Sequence, residues 1–172
     1  MVGIDLGNVI ARVQNDVISL TDNSSCGTSQ LSSLFASFLT GGSVAEMSFQ
    51  KYFVLYKGDP ITLRDDYEKS EGQLFAAPLI DRVDVHTSST SKDSDGNYFA
   101  TFVGTFQADN LARENSSDLS LALVAGNKIL AFTSFDRNVY DKLCSGSRAE
   151  IKWKLQLKHV TKIIELKSEE KI

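Results

Sequence analysis

Two cysteines, two prolines and two histidines in 172 residues leave stapled and metal-centred architectures without their usual parts. A chain of this length buries roughly 70% of its unfolded surface on folding, so it needs no disulfide framework. Cys26 and Cys144 are read as two free thiols of a reducing compartment, and the sequence leaves open whether they pair. His86 and His159 are separated by 72 residues, and neither is followed by Cys, Asp or Glu at ligand spacing. Zinc binding and histidine-based nucleophilic catalysis therefore lack their residues. No apolar run approaches the ~20 residues of a membrane span, and no basic stretch leads into a greasy one at the N-terminus. The expectation is a soluble product that is not exported, with no membrane partner.

What is present describes one ordinary domain: 42% hydrophobic and 23% charged residues, with a net charge of −4. The charge is uneven. Residues 1–50 carry one Arg against four carboxylates, whereas residues 150–172 carry six Lys against four Glu. An excess of two positive charges is too small for the many phosphate contacts of a nucleic-acid binder, so no nucleic-acid partner is expected. There is no repeat and no Pro-, Gly- or Ser-rich linker. The boundaries are an N-terminal arm or edge strand over 1–25, one domain over 26–160, and a charged tail over 161–172.

One segment has helical periodicity. Leu31, Leu34, Phe35, Phe38 and Leu39 share a face, Thr28 can cap the start and Gly41-Gly42 can close the end, which predicts a short amphipathic helix over 28–39 packed on a sheet. Elsewhere the signals are those of strands. Phe49 to Tyr56 reads as a strand buried on both faces that ends at the turn Gly58-Asp59-Pro60. Ile61 to Ala77 reads as a long loop with a helical turn near Asp65 to Lys69. Leu79 to Thr87 and Tyr98 to Phe106 form a hairpin through a polar tip that turns at Asp95-Gly96. Leu119, Leu121 and Leu123 lead through Gly126-Asn127 to a return strand, Ile129 to Thr133. Glu150 to Lys158 alternates strictly, with Ile151, Trp153, Leu155 and Leu157 on one side and lysines on the other. These elements predict a mainly β fold, an antiparallel β-sandwich or barrel-like sandwich with one short helix and extended terminal arms.

Several motifs suggest chemistry and fall short of it. Val2-Gly3-Ile4-Asp5-Leu6-Gly7-Asn8 resembles the phosphate-binding opening of the actin and sugar-kinase ATPases, a fold whose two lobes cannot fit in this length. Asp93-Ser94-Asp95-Gly96-Asn97 has a calcium-loop flavour, but its glycine falls at the fourth position instead of the sixth. Asp65, Asp66, Glu68 and Glu71 lie in a polar stretch with no sign of the cleft that raises a catalytic carboxyl. No Walker loop, dinucleotide fingerprint or Gly-x-Ser-x-Gly is present. No catalytic, cofactor-binding or metal-ligating residue is assigned, no cofactor is expected, and the chain reads as non-enzymatic.

The order of the pieces points further. The glycine-ended helix leads to Tyr52-Phe53-Val54-Leu55-Tyr56-Lys57-Gly58, then to Leu79-Ile80-Asp81-Arg82-Val83 and Tyr98-Phe99-Ala100-Thr101-Phe102-Val103-Gly104-Thr105-Phe106. Leu121-Ala122-Leu123 with Leu130-Ala131-Phe132, and a Trp153-centred final strand, complete it. Over residues 28–158 this order resembles small β-rich structural proteins of tailed-bacteriophage virions, found in tails, collars, baseplates, fibre attachments and head decorations. The second hairpin departs from that pattern at Asp118-Leu119-Ser120-Leu121, and residues 1–25 have no counterpart in it. The resemblance implies a homo-oligomeric virion component, made in the host cytoplasm, whose partners are copies of itself and other virion proteins. Contacts would fall on the N-terminal arm, the loops at Asp59 to Ala77 and Thr87 to Asn97, and the C-terminal tail, with the N-terminal arm or the Lys-rich C-terminal strand adding to a neighbour's sheet. The alternative is a carbohydrate-binding β-sandwich for a host-surface glycan, which would need exposed aromatics; the alternation at Trp153 places that side chain in the core.

Overall fold

A computed structural model describes residues 2–14, 16–20, 26–27, 50–57, 79–111, 119–126 and 128–159, with the backbone alone at 2–8, 26–27 and 157–159. The strands are β1 (Val2–Val13), β2 (Asp16–Ser19), β3 (Cys26–Gly27), β4 (Lys51–Lys57), β5 (Leu79–Lys92), β6 (Tyr98–Gln107), β7 (Leu119–Ala125), β8 (Lys128–Phe135) and β9 (Arg148–His159). Among the described residues two short helices accompany them, α1 (Ala108–Leu111) and α2 (Arg137–Leu143). The predicted helix over 28–39, the loop with Asp65, Asp66, Glu68 and Glu71, and the tail over 161–172 lie outside the described residues.

The strands pair in the order β2-β1-β9-β6-β5-β4-β7-β8-β3, antiparallel throughout. The mainly β, antiparallel class is as expected, and hydrogen bonding continues round one sheet curled into a half-barrel. The reason lies in β5. At 14 residues it serves both halves, pairing with β4 up to Asp84 and with β6 from Val85 onward, with a bulge between Val85 and Thr87. A bulged strand bends and twists more strongly, and here the bend turns one sheet back on itself.

The inward side chains of both halves meet in one core. Val9, Ala11, Phe53, Leu55, Phe106, Leu121, Leu123, Ile151, Trp153 and Leu155 all belong to it. Trp153 is fully buried, as its place in the alternation predicts. Gly104 of β6 lies under Phe53, and a Cβ there would come within 2.7 Å of the ring. The reverse face of β4, β7 and β8 is buried too, by Val54, Tyr56, Ala122, Val124, Ile129 and Phe132. β4 is thus buried on both faces as expected, and β7, read as a one-faced alternation, has every residue buried.

Both predicted turns are present. Gly96 (φ 85°) and Gly126 (φ 61°) occupy the left-handed region that glycine enters without steric cost. The tip of the first hairpin is shorter than expected, because Ser88 to Lys92 is strand rather than loop, paired with β6 from Tyr98 to Phe102. Exposed hydroxyl side chains made the run look like a loop, while their backbone completes the ladder.

α2 escaped the sequence reading. The Asp136 carboxylate accepts from Val139 N at 3.0 Å as N-cap, and Arg137 pairs with Asp141 at 2.9 Å one turn on. Tyr140 and Leu143 seat the helix in the core, where the Tyr140 hydroxyl donates to the Leu111 carbonyl of α1.

Candidate functional site

Three features stand out on the surface: a polar outward face, a pocket at its end, and a backbone edge that no other described strand covers. All belong to the half of the sheet built by β2, β1, β9, β6 and the second part of β5.

The outward face follows from register. Arg12 lies opposite Glu150, and Glu150 opposite Thr105; Ile10 lies opposite Lys152, and Lys152 opposite Val103; Lys154 lies opposite Thr101. Directly opposed residues share a face, so these side chains stand together on the side away from Trp153. Lys154 Nζ sits 4.1 Å over the Phe99 ring, the diagonal neighbour on β6. His86, the extra residue of the β5 bulge, joins this face and bonds with the hydroxyls of Thr87 at 2.8 Å and Thr105 at 3.1 Å. His86 is thus held by threonines, whereas His159 pairs with Val2 at the far end of β9; the structure does not bring the two together.

The pocket closes one end of this face. It has a volume of about 270 Å³ and is lined by Arg12, Gln14, Thr105, Ser147, Arg148 and Glu150. Its walls come from the end of β1, the end of β6 and the turn between α2 and β9. That turn packs tightly on β1 because residue 146 is glycine: a Cβ there would meet Val13 Cγ1 at 2.8 Å. The Ser147 carbonyl accepts from Ala108 N at 3.0 Å and ties the turn to α1. On the other wall, Val13 pairs with Asp16, leaving a two-residue hairpin loop in which Gln14 takes a positive φ of 55°. Neither Arg12 nor Arg148 forms an ion pair with Glu150 or any other described carboxylate.

That edge belongs to β1. On one side β1 pairs with β9 from Val2 to Arg12; on the other, β2 covers only Ile10 to Val13, with Leu20 N donating to the Val9 carbonyl at 2.8 Å. Among the described residues, Val2 to Asn8 therefore have no strand on their outer side. β9 offers no such edge. The expectation that the Lys-rich terminal strand adds to a neighbour's sheet is corrected, because β1 and β6 use its hydrogen-bonding groups on both sides.

No protein-family profile, curated protein or solved structure matches the chain. The site is therefore read from its own chemistry.

The remaining sequence candidates can be placed. Asp93 is a turn builder: its carboxylate accepts from the backbone N–H groups of Asp95 and Asn97 and from the Asn97 side chain at 2.9 to 3.1 Å. Those bonds hold the carboxyl below the usual carboxylate range. No group of three or more His, Cys, Asp or Glu among the described residues could hold a metal ion, and no helix among them is long and apolar enough to cross a membrane. Cys144 is a free thiol at the C-cap of α2, and burial pushes its pKa up. The pocket was missed in the sequence because its residues are scattered over 12–150 and converge only through register and turns.

Proposed function

We propose that the protein is a non-enzymatic assembly or attachment module, a structural component of a tailed-bacteriophage virion, which engages a neighbour by adding that neighbour's strand to the open edge of β1. The observation that carries this reading is the edge itself. Val2 to Asn8 run beside β9 and present their other side to no described strand. Unpaired strand edges are templates for another chain's backbone, and strand addition supplies main-chain hydrogen bonds without a catalytic constellation. The virion class comes from the sequence resemblance over 28–158; the β-rich body is of the kind that resemblance implies.

The described residues give the carbohydrate-binding alternative little aromatic support. Trp153 is buried, and the exposed aromatic of the described structure, Tyr98, carries Lys92 5.3 Å above its ring.

The test is immunogold labelling. Antibodies raised against the purified protein should decorate virions of the phage that encodes it, at a fixed position on the particle. Particles that are never decorated, intact or partly disassembled, would overturn the virion assignment.

A further inference from the structure

We propose that the pocket at the end of the outward face, with the lysines beside it, is a docking site for an extended acidic peptide segment of a partner protein. This inference rests on the reading that the protein works by docking, and it assigns a second surface and a ligand chemistry.

The charge balance points to the sign of the ligand. Among the described side chains, Arg12, Arg148, Lys152 and Lys154 share this face with one carboxylate, Glu150, a local sum of +3 on a chain whose total is −4. Both arginines line a concavity of about 270 Å³, and neither forms an ion pair with a described carboxylate. A guanidinium fork matches a carboxylate in two parallel hydrogen bonds, so the pocket is shaped to take one acidic side chain. Lys152 and Lys154 continue the positive row along β9 at the two-residue spacing of one strand face, which suits a ligand lying extended across the sheet.

Glu150 separates peptide from polyphosphate. It stands between Arg12 and Thr105 in the register, partly buried in the pocket wall, and can only accept hydrogen bonds when ionised. An acidic peptide brings backbone N–H donors as well as carboxylates, and so can satisfy Glu150 and the arginines together. A polyphosphate brings acceptors alone and would set negative oxygens against Glu150.

The test uses the whole protein and a fluorescently labelled, capped hexaglutamate peptide at low ionic strength. Saturable binding is expected, weakening as salt is raised through the range where surface charges are screened. Arg12→Gln combined with Arg148→Gln should weaken it about tenfold or more. Lys152→Gln combined with Lys154→Gln should weaken it less and flatten its salt dependence. All four positions are surface positions of the sheet, and urea unfolding checks that each variant is folded. Absence of binding at low salt, unchanged affinity in the arginine pair, or equal or tighter binding of an oligophosphate of matched charge would each overturn the proposal. The titration reads the isolated protein, so it can succeed where virion labelling fails, and the reverse.

Discussion

Phe53 of β4 and Trp153 of β9 stack with ring centroids 6.4 Å apart and planes within 8° of parallel. Two strands, β6 and β5, lie between β4 and β9 in the sheet. The contact therefore spans the curl and joins the two halves of the half-barrel through their inward faces. Both rings are fully buried, and Gly104 on the intervening β6 provides the room for Phe53.

Removing either ring should be among the most damaging single changes in the protein. Phe53→Ala and Trp153→Ala are each expected to cost about 3–5 kcal/mol, with a coupling of about 0.5–1.5 kcal/mol between them. A double-mutant cycle by urea unfolding measures both. Additive losses would mean that the rings fill space without interacting.

Gly104→Ala tests the same junction from below. The new methyl would have to displace the Phe53 ring, and overpacking of this kind costs about 1–3 kcal/mol. Equilibrium unfolding should show the loss, and the Trp153 emission should shift as its stacking partner moves.

Stability should fall at high pH because of Tyr56. Burial pushes its phenol from 10.0 up to about 12, with the charge of Arg82 opposing the rise. Between these values the unfolded chain has shed the proton and the folded chain still holds it, so each step up in pH favours unfolding. Below pH 10 both states are protonated and this contribution is flat. Tyr56→Phe should remove part of the slope between pH 10 and 12 in denaturant titrations.

Cys144 should react slowly with a thiol-specific disulfide reagent. Burial raises its pKa and the nearby Asp141 adds to the rise, while a hydrogen bond with Tyr140 and the charge of Arg137 oppose it. Less thiolate is present at neutral pH than for a free cysteine. Its rate should keep climbing above pH 9 and rise to that of a model thiol on unfolding.

Much of the fold was legible because alternation and turn chemistry are local. β4, the hairpin turning at Gly96, the β7–β8 hairpin through Gly126 and the core position of Trp153 all follow from a few adjacent residues. β1 was not legible, because its register shifts between Asp5 and Asn8 and interrupts the two-residue period. The second part of β5 was hidden for the opposite reason: Ser88 to Lys92 is exposed along its length, so no apolar face marks it as strand. Closure into one sheet depends on a bulge that no residue type announces. The pocket was the least legible feature, since Arg12 meets Glu150 only through antiparallel pairing of the two ends of the described chain.

The central claim is that the outer edge of β1 is where a neighbour's strand adds. Hydrogen–deuterium exchange on residues 2–8, read in the isolated protein and in the assembled particle, tests it most directly. The backbone amides on the open side should exchange freely in the isolated protein and gain protection on assembly, while those facing β9 stay slow in both. Equal exchange over residues 2–8 in the two states, with protection gained elsewhere, would contradict the account.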